Sequence, residues 1–158
     1  MSIPATVERF LNEHHVKYEI VSHPRAYTSL GTALAARIEP DQLVKAVLLQ
    51  DDGGYLVAIV PATCHVKLGA LRRETGRYVR LATEGEARER FPDCDPGAVP
   101  VLGLAYGVET VWDDSLTGRP DVYFEAGDHE RLVHVDTEAF MKLLGASRHG
   151  RFGKRFVH

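Results

Sequence analysis

The chain has 158 residues, 44% hydrophobic and 26% charged, enough for one domain that buries its core without disulfide staples. No apolar run reaches the ~18–20 residues of a membrane span, and the start, MSIPATVERF, has an acid at Glu8 and no basic-then-apolar signal pattern, so the expected setting is the cytoplasm with no membrane partner. A net charge of −3 argues against non-specific nucleic-acid binding and against DNA as a partner, and the two cysteines, Cys64 and Cys94, stand in unrelated contexts expected of reduced thiols.

Along the chain, Val7, Phe10 and Leu11 follow Pro4 at helical spacing and predict a helix over 4–15. YEIVSH (18–23) alternates like a half-buried strand and stops at Pro24, and TSLGTALAAR (28–37) reads as a short helix capped by Thr28 or Ser29. LVKAVLLQ (43–50) and YLVAIVPA (55–62) flank Asp51-Asp52-Gly53-Gly54, a hairpin whose continuously apolar arms predict cover on both faces. A helix over 68–75, a short strand over 78–82 and a helix over 83–91, with Thr83 and Glu86 spaced as a capping box, come next. PDCDPGAVPVLG (92–103) must be a structured loop. Strands are predicted at 109–113, 121–126 and 131–135, and a helix at 137–144. Hairpins mixed with helices, without a repeating βα unit, predict an α/β fold: a mixed, mainly antiparallel sheet with surrounding helices. Residues 1–145 form the expected single domain and 146–158 a basic C-terminal tail.

Charge is unevenly spread. Residues 67–80 carry Lys67, Arg72, Arg73, Arg77 and Arg80 against Glu74 alone, and residues 146–158 carry Arg148, Arg151, Lys154 and Arg155 with no acid. Such patches on an acidic body suit local grasp of a polyanion, and they equally suit a solvated helix face and a chain end.

The familiar hydrolase signatures are absent: there is no G-x-S-x-G, H-E-x-x-H, phosphate-binding glycine loop or paired C-x-x-C. The eight histidines are scattered without metal-ligand spacing, so no metal and no cofactor is expected. Cys64 and His65 are neighbours on a predicted strand, point to opposite faces and cannot form a simple dyad. Three weaker signals remain. Lys45 shares a strand face with Leu43 and Val47, where an ammonium either snorkels or meets an anion. In GAVPVLG (97–103), Gly97 permits close backbone approach and Pro100 stiffens a loop that either aims N–H groups at an oxyanion or makes a tight crossover. In AGDHE (126–130), Gly127 and Asp128 form a turn that leaves His129 either facing a substrate or on the surface.

Taken in this order, these stretches resemble the YbaK/prolyl-tRNA synthetase-associated editing domain family. The matching pieces are SHPRAYTS (22–29), LVKAVLLQ, YLVAIVPA, FPDCDPGAVPVLGLAYG (91–107), VWDDSL (111–116) and YFEAGDHERLVHVD (123–136), spread over roughly residues 5–144. The resemblance implies a free-standing domain that hydrolyses the ester joining a wrong amino acid to tRNA, acting on mischarged tRNA and with an aminoacyl-tRNA synthetase as a further partner. It implies a catalytic set of Lys45, Gly97 and His129. Thr28, Ala46, Ala98, Val99, Pro100, Gly127 and Asp128 would contact the amino acid, and Arg72, Arg73 and Arg77 the tRNA. The chain departs from the family pattern at Val101, where the loop proline usually stands, and at Ala46, where alanine-specific members carry asparagine. The alternatives are a non-catalytic tRNA- or synthetase-binding module of the same fold and a hydrolase of small aminoacyl esters.

Overall fold

The computed structural model of the chain describes residues 3–156. Helix α1 (Ala5–Glu13) begins behind Pro4, whose missing N–H is not needed at a helix start, and buries Val7 and Leu11 one turn apart. Helix α2 (Ser29–Ala36) is capped by Thr28, whose Oγ1 accepts the Gly31 N–H at 3.0 Å. Helix α3 (Leu68–Thr75) stops at Gly76, which takes a φ of 68° that a side chain would strain. Helix α4 (Glu84–Arg90) opens with the capping box: Glu86 N–H donates to Thr83 Oγ1 at 3.1 Å and Thr83 N–H to Glu86 Oε1 at 2.9 Å. Asp136 caps α5 (Thr137–Leu144) by accepting the Ala139 N–H at 2.7 Å.

The strands are β1 (Glu19–Ser22), β2 (Leu43–Asp51), β3 (Gly54–Pro61), β4 (Cys64–Val66), β5 (Arg80–Leu81), β6 (Glu109–Asp113), β7 (Asp121–Glu125), β8 (Arg131–Asp136), β9 (Arg148–Gly150) and β10 (Gly153–Arg155). The large sheet runs β1-β8-β7-β2-β3-β6-β9. Pairing is parallel for β2 with β7, β3 with β6 and β6 with β9, and antiparallel elsewhere. This is the mixed α/β fold expected. The β2–β3 hairpin holds register from Val44 opposite Pro61 to Asp51 opposite Gly54. One edge of β2 is interrupted. Strand β7 accompanies it only at Leu43 and Val44, and β5 joins at Leu49 and Gln50. Between them the sheet opens beside Lys45 and Ala46.

Both hairpin faces are covered. On one, Val44, Leu48, Val57 and Ile59 pack with Val7 and Leu11 of α1 and Phe140, Leu143 and Leu144 of α5. On the other, Leu49, Leu56, Ala58 and Val60 pack with Leu71 of α3 and Phe152. Each fully buried side chain of this size contributes roughly 1.5–3 kcal/mol. Among the described residues no helix is long and apolar enough to cross a membrane.

Residues 146–156 are threaded back into the fold. Strand β9 extends the large sheet, and β10 pairs antiparallel with β4 in a small second sheet. The reversal between them rests on Asp113, whose Oδ1 accepts the N–H groups of Phe152 at 2.9 Å and Gly153 at 2.7 Å.

Candidate active site

Where the edge of β2 opens lies a cavity of about 80 Å³, lined by the start of α2, residues 43–46 of β2, the loop at Gly97 and Val99, and Glu125, His129 and Leu132. Strand alternation sends Lys45 to the face that holds Leu43 and Val47. There Leu43 packs with Ala33, Ala62 and Leu132, and Val47 packs against the cluster containing Val60 and Cys64. The ammonium is half-buried, and that burial pushes its pKa below the ordinary lysine value. No ion pair among the described residues involves it. The ring centre of Phe156 lies 4.9 Å from its Nζ.

Opposite β2, the 96–99 loop and the 125–130 turn are locked together. His129 is buried, and its Nε2 lies 2.7 Å from the Pro96 carbonyl oxygen. A carbonyl only accepts, so Nε2 carries the proton and Nδ1 is left as the ring's other polar atom. The turn places His129 at a φ of 63°, unusual for a side-chain-bearing residue. Glu125 holds it there: its Oε2 accepts the N–H groups of Gly127 at 2.9 Å and of Asp128 and His129 at 3.3 Å each. Asp128 closes the turn by accepting the Glu130 and Arg131 N–H groups at 3.0 and 2.9 Å. Gly127 has no room for a side chain, since a Cβ would sit 2.7 Å from Pro4 Cγ and 3.0 Å from Cys94 Sγ. Gly97 takes a φ of 81°, and the same construction there meets the His129 ring at 3.6 Å. Arg25 straps the rim, with Nε donating to Tyr27 Oη at 2.8 Å and Nη2 and Nη1 reaching Asp95 at 3.2 Å and Glu130 at 3.3 Å.

Of the residues singled out in the sequence, Thr28, Lys45, Ala46, Gly97, Val99 and His129 meet at this cavity. Ala98 and Pro100 are buried behind the loop, and Gly127 and Asp128 shape the turn instead of lining the cavity. Arg72, Arg73 and Arg77 do not line it either. Arg77 donates to Asp51 at 2.6 Å and Glu109 at 3.0 Å. Arg72 donates twice to the Val79 carbonyl and covers the Tyr78 ring at 4.2 Å.

Sequence reasoning passed over Glu125, Tyr27, Ser29 and Thr32 at the cavity, and Phe156 beside Lys45. Glu125 was open to discovery: it shares the outward face of β7 with Asp121 and Tyr123, immediately before the glycine turn. The cysteines are free. Burial pushes the Cys94 thiol up to about 12 and raises that of Cys64, which keeps both protonated and poorly nucleophilic.

The cavity thus offers one cation, Lys45, and one carboxylate, Glu125, neither of them in an ion pair among the described residues. Ala46, Val99 and Leu132 give the same cavity apolar lining. Such a site suits a small ligand that bears an ammonium group at one end and electron-rich oxygen at the other.

A search of curated proteins finds no match to the chain. Among solved structures, one provisionally described as a trans-editing enzyme for prolyl-tRNA synthetase is 24% identical with a TM-score of 0.81, over 97% of this chain and 99% of that one. Hypothetical protein APE2540 is 18% identical with a TM-score of 0.84, over 94% and 99%. A protein of Marinobacter aquaeolei VT8, provisionally described as acting in signal transduction, is 23% identical with a TM-score of 0.80; the match covers 96% of this chain but 31% of that longer one. These likenesses establish the shared fold. The aminoacyl-tRNA editing domain family matches residues 23–143, a span that holds Lys45, the 96–99 loop and the 125–130 turn, and the chain belongs to that family.

Proposed function

We propose that the protein is a metal-independent, trans-acting aminoacyl-tRNA deacylase that hydrolyses the ester of mischarged tRNA in the cytoplasm. The observation that carries this reading is the half-buried Lys45, in no ion pair among the described residues, at a cavity shared with Glu125 and His129. An aminoacyl ester is already activated, and the vicinal ribose hydroxyl of the substrate assists attack by water, so positioning replaces a nucleophilic triad. In this reading Lys45 holds the ester oxygen or the terminal adenosine and steadies negative charge as it develops on the carbonyl oxygen. Glu125 receives the α-ammonium of the amino acid. The His129 Nε2–H is committed to Pro96, so His129 acts by fixing the loop against the turn and by offering Nδ1. Ala46 and Val99 set the space for the side chain, and a cavity of about 80 Å³ favours a small amino acid.

The test is a deacylation panel over alanyl-, seryl-, threonyl-, cysteinyl- and prolyl-tRNA with wild type and Lys45→Ala. The variant is expected to lose ~100-fold in rate on the preferred substrate; unchanged hydrolysis would remove Lys45 from the mechanism.

A second reading, a hydrolase of small aminoacyl esters that does not use tRNA, draws support from the internal engagement of Arg72 and Arg77, which reduces the charge α3 can offer to phosphates. It predicts equal rates on an aminoacyl-tRNA and on the matching aminoacyl-adenosine.

A further inference from the structure

The editing-family match ends at residue 143, yet the chain beyond it returns to the cavity end of the sheet. Its path is fixed at several points. Asp113 holds the Phe152–Gly153 reversal at 2.9 and 2.7 Å, and Lys67 N–H donates to the Phe152 carbonyl at 2.8 Å. Strand β10 then lies antiparallel to β4, with Lys154 opposite His65 and Arg155 opposite Cys64. Arg155 reaches Asp41 at 3.1 Å, and Phe156 N–H donates to the Thr63 carbonyl at 3.0 Å. These bonds place the Phe156 ring 4.9 Å from Lys45 Nζ, with the His65 ring 5.5 Å away on the other contact. An ammonium within ~6 Å of an aromatic ring centre is attracted by the negative face of the ring, most strongly where water is thinned.

We infer that Phe156 is a positioning residue for catalysis: its ring holds the Lys45 ammonium at the mouth of the cavity. The inference rests on the role proposed above for Lys45. A lysine side chain has four rotatable bonds, and among the described residues no carboxylate pairs with this one; the ring supplies the restraint without neutralising the charge. An anionic partner would compete with the ester oxygen for the same cation, whereas an aromatic face leaves the ammonium hydrogens free to donate.

The experiment uses the full chain with Phe156→Ala, Phe156→Leu and Phe156→Tyr, and reads two quantities. Leucine fills much of the same space without a π face, so a role in packing alone is spared in that variant. By NMR on lysine-labelled protein, the ε-methylene protons of Lys45 are expected to lose their ring-current shift in the Ala and Leu variants and to keep it in the Tyr variant. In deacylation assays, kcat is expected to fall about fivefold in both Ala and Leu variants with KM within about twofold, and to return in the Tyr variant. Unmoved Lys45 resonances in Phe156→Leu, wild-type kcat in that variant, or a rise in kcat for Phe156→Ala would each overturn the inference. The NMR arm does not depend on turnover. If Lys45→Ala hydrolyses normally, the proposed function fails while the ring contact is still decided by its own measurement.

Discussion

The basic stretch around α3 and the lone lysine of β2 are treated by the fold in different ways. Around α3, Arg77 is drawn into Asp51 and Glu109 with only 25% of its side chain exposed, and Arg72 spends its hydrogen bonds on a backbone carbonyl. These charges hold the β2–β3 turn and the segment after α3 in place. At the other end of β2, a single lysine is half-buried and makes no ion pair among the described residues. A count of basic residues ranks the first region higher; burial of an ammonium at a cavity singles out the second. Charge that the fold has already neutralised is structural, and charge that the fold shelters without neutralising is available to a ligand.

The largest expected contrast follows from exchanging the isolated charge. Lys45→Met should abolish deacylation, by ~100-fold or more, and yet raise the melting temperature, because burial disfavours the ammonium and an apolar side chain removes that cost. The sign also appears with pH. The lowered lysine pKa means that burial disfavours the ammonium relative to the unfolded chain. Activity that needs the ammonium should therefore fall on the alkaline side earlier than an ordinary lysine would allow, once uncatalysed hydrolysis is subtracted.

Next in size is Glu125. Glu125→Gln is expected to lower kcat/KM about tenfold, the scale of one charge-assisted hydrogen bond. Wild type should discriminate against N-acetylated aminoacyl-tRNA, and the variant should lose much of that preference; equal discrimination in both would sink the ammonium assignment. Ala46→Val should then reduce turnover of larger amino acids more than of smaller ones, by about five- to tenfold per added methylene. His129→Ala should move rate or amino-acid choice by only a few-fold.

The smallest effect on activity belongs to the paired region. Arg77→Ala should leave deacylation of a small aminoacyl-adenosine unchanged and lower the melting temperature by a few degrees. Arg77 holds the Asp51 carboxyl at about 2, below its ordinary value of 3.8. A depressed carboxylate contributes stability above the ordinary value and loses it as pH falls through the folded value. The arginine variant should therefore lose less stability than wild type when acidified from about 4 to about 2. A parallel acid melt would show that the pair is dispensable.

Much of this arrangement was legible in the sequence. The Asp-Asp-Gly-Gly turn and two apolar arms specify the hairpin, and alternation alone assigns Lys45 to the face of Leu43 and Val47. Thr83 with Glu86 and Thr28 with its helix also behave as their types dictate. What stayed hidden has physical reasons. Glu125 alternates outward on β7, where a carboxylate normally reads as solvated, and only the turn of the chain brings its edge to a cavity. Strands β4, β9 and β10 are three residues each and draw their stability from distant partners, so RHGRFGKRF shows no periodicity to read. The contact between Phe156 and Lys45 spans most of the chain and depends on an aspartate in a third strand.

The hydrogen bond from His129 Nε2 to the Pro96 carbonyl makes the 96–99 loop and the 125–130 turn behave as one part. Under the proposed function, specificity would therefore be inherited as a pair of segments. A grafted 96–99 loop from a relative with different substrate choice would have to seat on this chain's own His129, and a grafted turn on this chain's own Pro96 carbonyl, neither of which it was matched to. Transplanting both together is the smallest exchange that should carry a new preference across intact.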